Sequence, residues 1–118
     1  MIVDPSPISR RQLKSTIQTN ETLVNVYEAE NAGQAEDILR NQLPDVVFID
    51  IALPLEIGLC LIASIRTLAA DIRIVVLTRL DASQYKAAAL EKGADYFLSK
   101  KHAAGLRLID VIHDVIRR

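Results

Sequence analysis

The sequence predicts a three-layer α/β sandwich, in which a five-stranded parallel sheet is covered by helices on both faces. Three observations lead there. Five short apolar runs alternate with five amphipathic segments and no internal linker separates them, the pattern of repeated strand–helix–strand units. The two middle runs, DVVFID (45–50) and IRIVVLT (72–78), are apolar almost throughout, as strands buried on both faces are. The chain has 118 residues, enough for one domain with one core.

Each element has its own signal. IVD (2–4) is a short first strand. In PSPISRRQLKSTIQ, Ile8, Leu13 and Ile17 stand at helical spacing, with Ser6 as N-cap and Pro7 at the first helical position. TLVNVYEA (22–29) alternates and predicts a strand with Val24 and Val26 on one face. GQAEDILRNQL (33–43) predicts a helix with Ala35, Ile38, Leu39 and Leu43 on one stripe. Between Pro44 and Pro54, VVFID predicts the central buried strand. GLCLIASIRTLA (58–69) is a helix through Leu61, Ile65 and Leu68, and IRIVVLT is the fourth strand. ASQYKAAALEKG (82–93) is an alanine-rich helix closed by Gly93. YFLSK (96–100) is the fifth strand, and AGLRLIDVIHDVIRR (104–118) is a last helix through Leu106, Ile109, Ile112 and Ile116. Right-handed crossovers make this a flavodoxin-like fold, whose sites lie at the carboxyl ends of the strands.

Composition narrows the function. Fourteen basic against fifteen acidic residues leave a formal charge of −1, without the electrostatic footprint of a nucleic-acid binder. The apolar runs are too short to cross a membrane, and Met1 leads straight into a strand with no signal-peptide pattern. Cys60, the lone cysteine, stands among apolar neighbours in GLCLIASI and reads as a small core residue; one unpaired thiol fits a reducing cytoplasm. His102 and His113 are far apart in sequence and read as surface or helix-flank residues. Enzyme classes built on this architecture find no support. There is no phosphate-binding glycine loop, Pro5-Ser6-Pro7 stands where a dinucleotide fingerprint would follow strand 1, and Ala52 stands where a haloacid-dehalogenase-type phosphatase needs a second aspartate.

The strand ends carry the chemistry. Strand 1 ends at Asp4, strand 3 at Asp50, strand 4 at Thr78 and strand 5 near Lys100. Parallel strands bring all four to one edge of the sheet. A buried carboxylate is costly unless a cation or donor offsets it, so Asp50 predicts charged partners. Phosphoryl transfer suits the set. A carboxylate can be the nucleophile, Mg²⁺ needs only one or two carboxylates, and a lysine and a hydroxyl can stabilise the transferred oxygens.

These segments resemble the response-regulator receiver domain of two-component signalling along the whole chain, residues 1–118. IVDPSP resembles the family's acidic segment, and FIDIALPLEIG its phosphoacceptor segment, with Pro54 and Gly58 in register. VVLTR resembles the segment bearing the switch hydroxyl, and GADYFLSK the one bearing the lysine. The resemblance implies strand order 2-1-3-4-5, Asp50 as phosphoacceptor, and Mg²⁺ held by Asp4, Asp50 and the Ala52 backbone carbonyl. It implies that Thr78 and Lys100 bind phosphoryl oxygens, that Thr78 and Phe97 switch, and that a histidine kinase or phosphotransfer protein is the partner. A homodimer is compatible with it. Lys101 is a rival to Lys100, but the next residue of a strand points to the other face. The Asp-Pro-Ser-Pro segment resembles receivers that precede LuxR/NarL-like helix-turn-helix outputs. DNA would then be reached only through an output domain outside these residues.

The chain departs from the family's pattern in ways that motivate a second reading. Pro7 places Asp4 at the first of two acidic positions and Pro5 at the second, which weakens the metal site. The other register, with Asp4 second, keeps the metal ligand and spoils the match at Pro7. Arg79 follows the switch hydroxyl where receivers carry a small residue, and Lys101 rather than proline or an acid follows the lysine. The alternative function is a pseudo-receiver, a phosphorylation-independent interaction or dimerisation module.

Overall fold

The computed structural model describes residues 1–21, 24–50, 55–78, 83–99 and 106–116. The elements are β1 (Ile2–Val3), α1 (Pro7–Asn20), β2 (Glu28–Ala29), α2 (Ala32–Asn41), β3 (Val46–Asp50), α3 (Leu55–Leu68), β4 (Arg73–Thr78), α4 (Ser83–Lys92), β5 (Tyr96–Ser99) and α5 (Leu106–Ile116). All pairings are parallel, in the order β2-β1-β3-β4-β5, as expected for a flavodoxin-like domain.

Period-two alternation sorts the strand residues to two layers. Val3, Val47, Ile49, Ile74 and Val76 pack with Ala35 and Leu39 of α2, Leu61, Ile62 and Ile65 of α3, and Ala89 of α4. Ile2, Phe48, Val75, Leu77 and Leu98 pack on the other face with Leu13 and Ile17 of α1 and Val111, Ile112 and Val115 of α5. Each fully buried Val, Ile or Leu contributes roughly 1.5–3 kcal/mol, so the two layers are the main stabilising term. No helix among the described residues is long and apolar enough to cross a membrane.

Several expectations are corrected. Ile8 is 67% exposed. It lies five residues before Leu13, about 140° away around a helix of 3.6 residues per turn, and Ser9 takes the inward position instead. Leu43 is 58% exposed because α2 ends at Asn41 and the stripe does not continue. Leu68, the last residue of α3, is half exposed. Cys60 is exposed rather than core; with Glu56, Ile57 and Ser64 it lies on the outer face of α3, while Ile62 takes the inward place beside Leu61. Strand pairing in β2 is confined to Glu28–Ala29, although Val24 and Val26 do share a face and pack against the α1–α5 layer; Thr22 and Leu23 lie outside the described residues. The α5 stripe contains Ile112 as expected but also turns Val111 and Val115 inward.

One side chain fastens the end of the sheet opposite the strand carboxyl ends. Arg66 donates from Nη1 to the carbonyls of Ala70 (2.6 Å) and Ile72 (2.8 Å), and from Nη2 to the Gly93 carbonyl (2.6 Å) and Asp95 Oδ2 (3.1 Å). Asp95 Oδ2 also accepts the Ile74 N–H at 2.8 Å. The turn after α3 and the turn after α4 are thereby held to one guanidinium. Gly93 has φ +119°, and a Cβ there would meet Arg66 Nε at 3.0 Å, so glycine is required both for the turn and for the close approach. Charge-assisted hydrogen bonds are worth about 1.5–3 kcal/mol each. Arg66→Met should lower unfolding free energy by about 2 kcal/mol in urea titration, whereas Ile8→Ser should change it by less than about 0.5 kcal/mol.

Candidate functional site at the carboxyl edge of the sheet

The register aligns the strand ends. Val3 pairs with Ile49, so Asp4 follows beside Asp50. Asp50 pairs with Leu77, and Thr78 follows one residue on, paired with Ser99. Asp4 is 2% exposed, Asp50 5% and Thr78 1%. Apart from Ser9, these are the only buried polar or charged residues among those described. Three strand-end polar groups are thus desolvated together.

The turn after β1 shows how Asp4 is held. Its N–H donates to the Ala29 carbonyl at 3.0 Å. Its Oδ1 accepts the Ser6 N–H at 2.8 Å, and Ser6 Oγ accepts the Ser9 N–H at 3.2 Å as the N-cap of α1. The carboxylate therefore lies at the positive end of the α1 dipole, which stabilises its charge. Pro5 contributes no carboxylate, and Pro7 occupies the first turn of α1 as expected. Arg10, which sequence reasoning missed, reaches back from α1. Its Nη1 donates to the Asp4 carbonyl at 2.6 Å, and its Nε stands 3.5 Å from Glu28 Oε1, within ion-pair range but outside hydrogen-bond geometry. Lys14 Nζ stands 3.5 Å from Glu28 Oε2. Only the fold brings the β2 carboxylate against two cations one helical turn apart.

Phe97 is half-buried and packs on the α2–α3–α4 side of the sheet. Its neighbour Tyr96 faces α5, where Oη donates to Asp114 Oδ2. Ala52, Pro54, Arg79, Lys100, Lys101 and His102 lie outside the described residues. His113 is partly exposed on the flank of α5, 3.9 Å from Glu21. No cluster of three or more His, Cys, Asp or Glu suited to a metal occurs among the described residues. Asp4 and Asp50 nevertheless form a hard oxygen-donor pair of the kind a divalent cation takes.

The family model for the response regulator receiver domain matches residues 1–113. The chain belongs to the response-regulator receiver family. This receiver is similar to the transcriptional regulatory protein PhoP of Escherichia coli O157:H7, at 34% identity over 100 residues, covering 85% of this chain and 44% of that protein. Among solved structures it is similar to a LuxR-family two-component response regulator from Aurantimonas sp. SI85-9A1, with TM-score 0.87 and 29% identity over 99% of this chain and 83% of that one. It is also similar to a response regulator from Thermotoga maritima, with TM-score 0.86 and 26% identity over 100% of this chain and 96% of that one. The chain spans about half the length of the curated relatives it matches. It is a receiver of the two-component type, a signalling module.

The Ser6 cap is the local test of this geometry. Ser6→Ala should cost about 1 kcal/mol of stability, with much of the loss recovered by Ser6→Asp, as measured by thermal unfolding.

Proposed function

We propose that this receiver accepts a phosphoryl group on Asp50 from a histidine kinase or phosphotransfer protein. The observation that carries the reading is the burial of Asp4, Asp50 and Thr78 side by side at one sheet edge. An Asp50 carboxylate oxygen attacks phosphorus, the bond from phosphorus to the donor's histidine nitrogen breaks, and an acyl phosphate forms. The Thr78 hydroxyl donates to a phosphoryl oxygen. Lys100, following Ser99 at the end of β5, pairs with another.

Asp4 and Asp50 would hold Mg²⁺, with the Ala52 carbonyl as a third ligand by resemblance; when bound, the ion supplies positive charge to the phosphoryl oxygens. The Ser6 N–H and the amino end of α1 favour negative charge on Asp4 at this position. Phosphorylation draws Thr78 toward the site, and Phe97 repacks beneath α4, which alters the surface of α4, β5 and α5 and biases a two-state equilibrium. Relatives named as transcriptional regulators support an output in transcription, with DNA contacted by a separate segment.

A second reading has its own observation. Pro5 offers no carboxylate, and one oxygen of Asp4 is already used by the β1–α1 turn. On that reading the domain is a pseudo-receiver that binds its partner, or a second copy, without phosphate.

Incubation with acetyl phosphate and Mg²⁺ should add one phosphoryl group by intact mass, and the gain should be absent in Asp50→Asn and after chelation of the metal. No gain from either acetyl phosphate or a cognate kinase, in a folded protein, would establish the pseudo-receiver. Asp4→Asn should reduce the rate of phosphorylation at least tenfold, because Pro5 leaves no neighbouring acid to compensate.

A further inference from the structure

The outer face of α3 meets solvent with almost no charge. From Glu56 to Leu68 only Glu56 and Arg66 are charged, and the Arg66 guanidinium is taken up by the carbonyls of Ala70, Ile72 and Gly93. The face instead shows Ile57 (45% exposed), Cys60, Ser64 and Leu68 (53% exposed), where a surface helix ordinarily carries polar and charged residues.

Beside the first of these lies a hole. A cavity of about 320 Å³ opens between α2 and α3, walled by Ala32, Glu36, Glu56, Ile57, Cys60 and Leu61. Leu68 stands eleven residues after Ile57, three helical turns and roughly 16 Å along the same side of α3. The helix thus carries an apolar hole at one end and an apolar knob at the other. α2 repeats the arrangement in charge. Glu36, on the cavity wall, and Arg40 are one turn apart and share a face. Arg40 is exposed, and its pair with the exposed Asp37 at 2.7 Å holds it weakly.

The two patterns have one centre. Midway between Ile57 and Leu68 is the Ile62–Ala63 peptide, and midway between Glu36 and Arg40 is Ile38. The cavity walls place Ala32 and Glu36 level with residues 56–61, and α2 and α3 run the same way between parallel strands. Ile38 is therefore level with residues 62 and 63. A two-fold axis at that height sets hole against knob and acid against base, at both ends at once. This is the self-complementarity that an interface between identical copies requires.

We propose that the α2–α3 face binds the same face of a second copy, with the two α3 helices antiparallel. Leu68 of the second copy enters the cavity beside Ile57, and Glu36 faces Arg40 of the second copy. The small residues Cys60 and Ser64 let the helices approach at the centre. α2 and α3 are ten and fourteen residues long, so the contact lies at the low end of specific interfaces, about 1,200 Å² in total, and the dimer is a weak one. Association requires neither phosphate nor the strand-end carboxylates.

Sedimentation equilibrium from roughly 10 µM to 1 mM protein, without a phosphodonor, should show a monomer–dimer equilibrium. Leu68→Glu should weaken it roughly tenfold or more. Arg40→Glu, which brings like charges together, should weaken it about threefold or more, and adding Glu36→Arg to that variant should restore the wild-type affinity. Mild oxidation of Ser64→Cys should give a disulfide-linked dimer whose peptide map joins Cys60 of one copy to position 64 of the other. A monomer at every concentration would overturn the proposal and leave the face to a different partner. So would a dimer indifferent to both Leu68→Glu and the charge exchange, which would form through another face. Asp50→Asn should associate as the wild type does, so failure here leaves the phosphoacceptor reading untouched.

Discussion

Parallel pairing of β1, β3 and β4 in a common register is the constraint on which the site depends. Because Val3 sits opposite Ile49 and Asp50 opposite Leu77, the residues that follow the apolar runs emerge at one height. The apolar residues are committed to the two helical layers, so a slip of one residue would exchange every side chain of a strand between two differently shaped layers. Hydrophobic burial on both faces therefore fixes the positions of Asp4, Asp50 and Thr78 to within a residue. None of the three has to stabilise the fold for this to happen.

The electrostatic cost of the edge is met locally on one side. Asp4 is answered by the Ser6 N–H and the amino end of α1, while Arg10 takes its carbonyl and Glu28 draws Arg10 and Lys14 toward β2. Pro5 and Pro7 stiffen the same turn and remove two N–H groups that would otherwise need partners. The turn that lacks a second acid is thus also a well-ordered capping structure. At the other end of the sheet, Arg66 ties the exits of α3 and α4 together, which anchors the carboxyl end of α4 far from Thr78.

Much of this architecture is legible in the sequence alone. Alternation of apolar runs with amphipathic segments gave five strands and five helices in the right places, since burial on two faces leaves a continuous apolar signature. The errors share one cause. Apolar character or approximate spacing points Ile8, Leu43, Leu68 and Cys60 inward, yet each lies off the helical stripe, at its end or past it. Residues 22–29 read as a full strand from alternation alone, yet pairing needs a neighbour, and β1 reaches only Glu28 and Ala29.

The sequence by itself determined the layer architecture and the chemical identity of the strand ends, because periodicity and residue type are local properties of the chain. It also placed the Ser6 cap, whose bond spans only three residues. Only the tertiary structure decided which charges meet. Arg10 with Asp4 and Glu28, and Arg66 with Gly93 and Asp95, join segments that no spacing rule connects. Such contacts arise from the crossing of helices over a twisted sheet, a geometry that one-dimensional pattern does not contain.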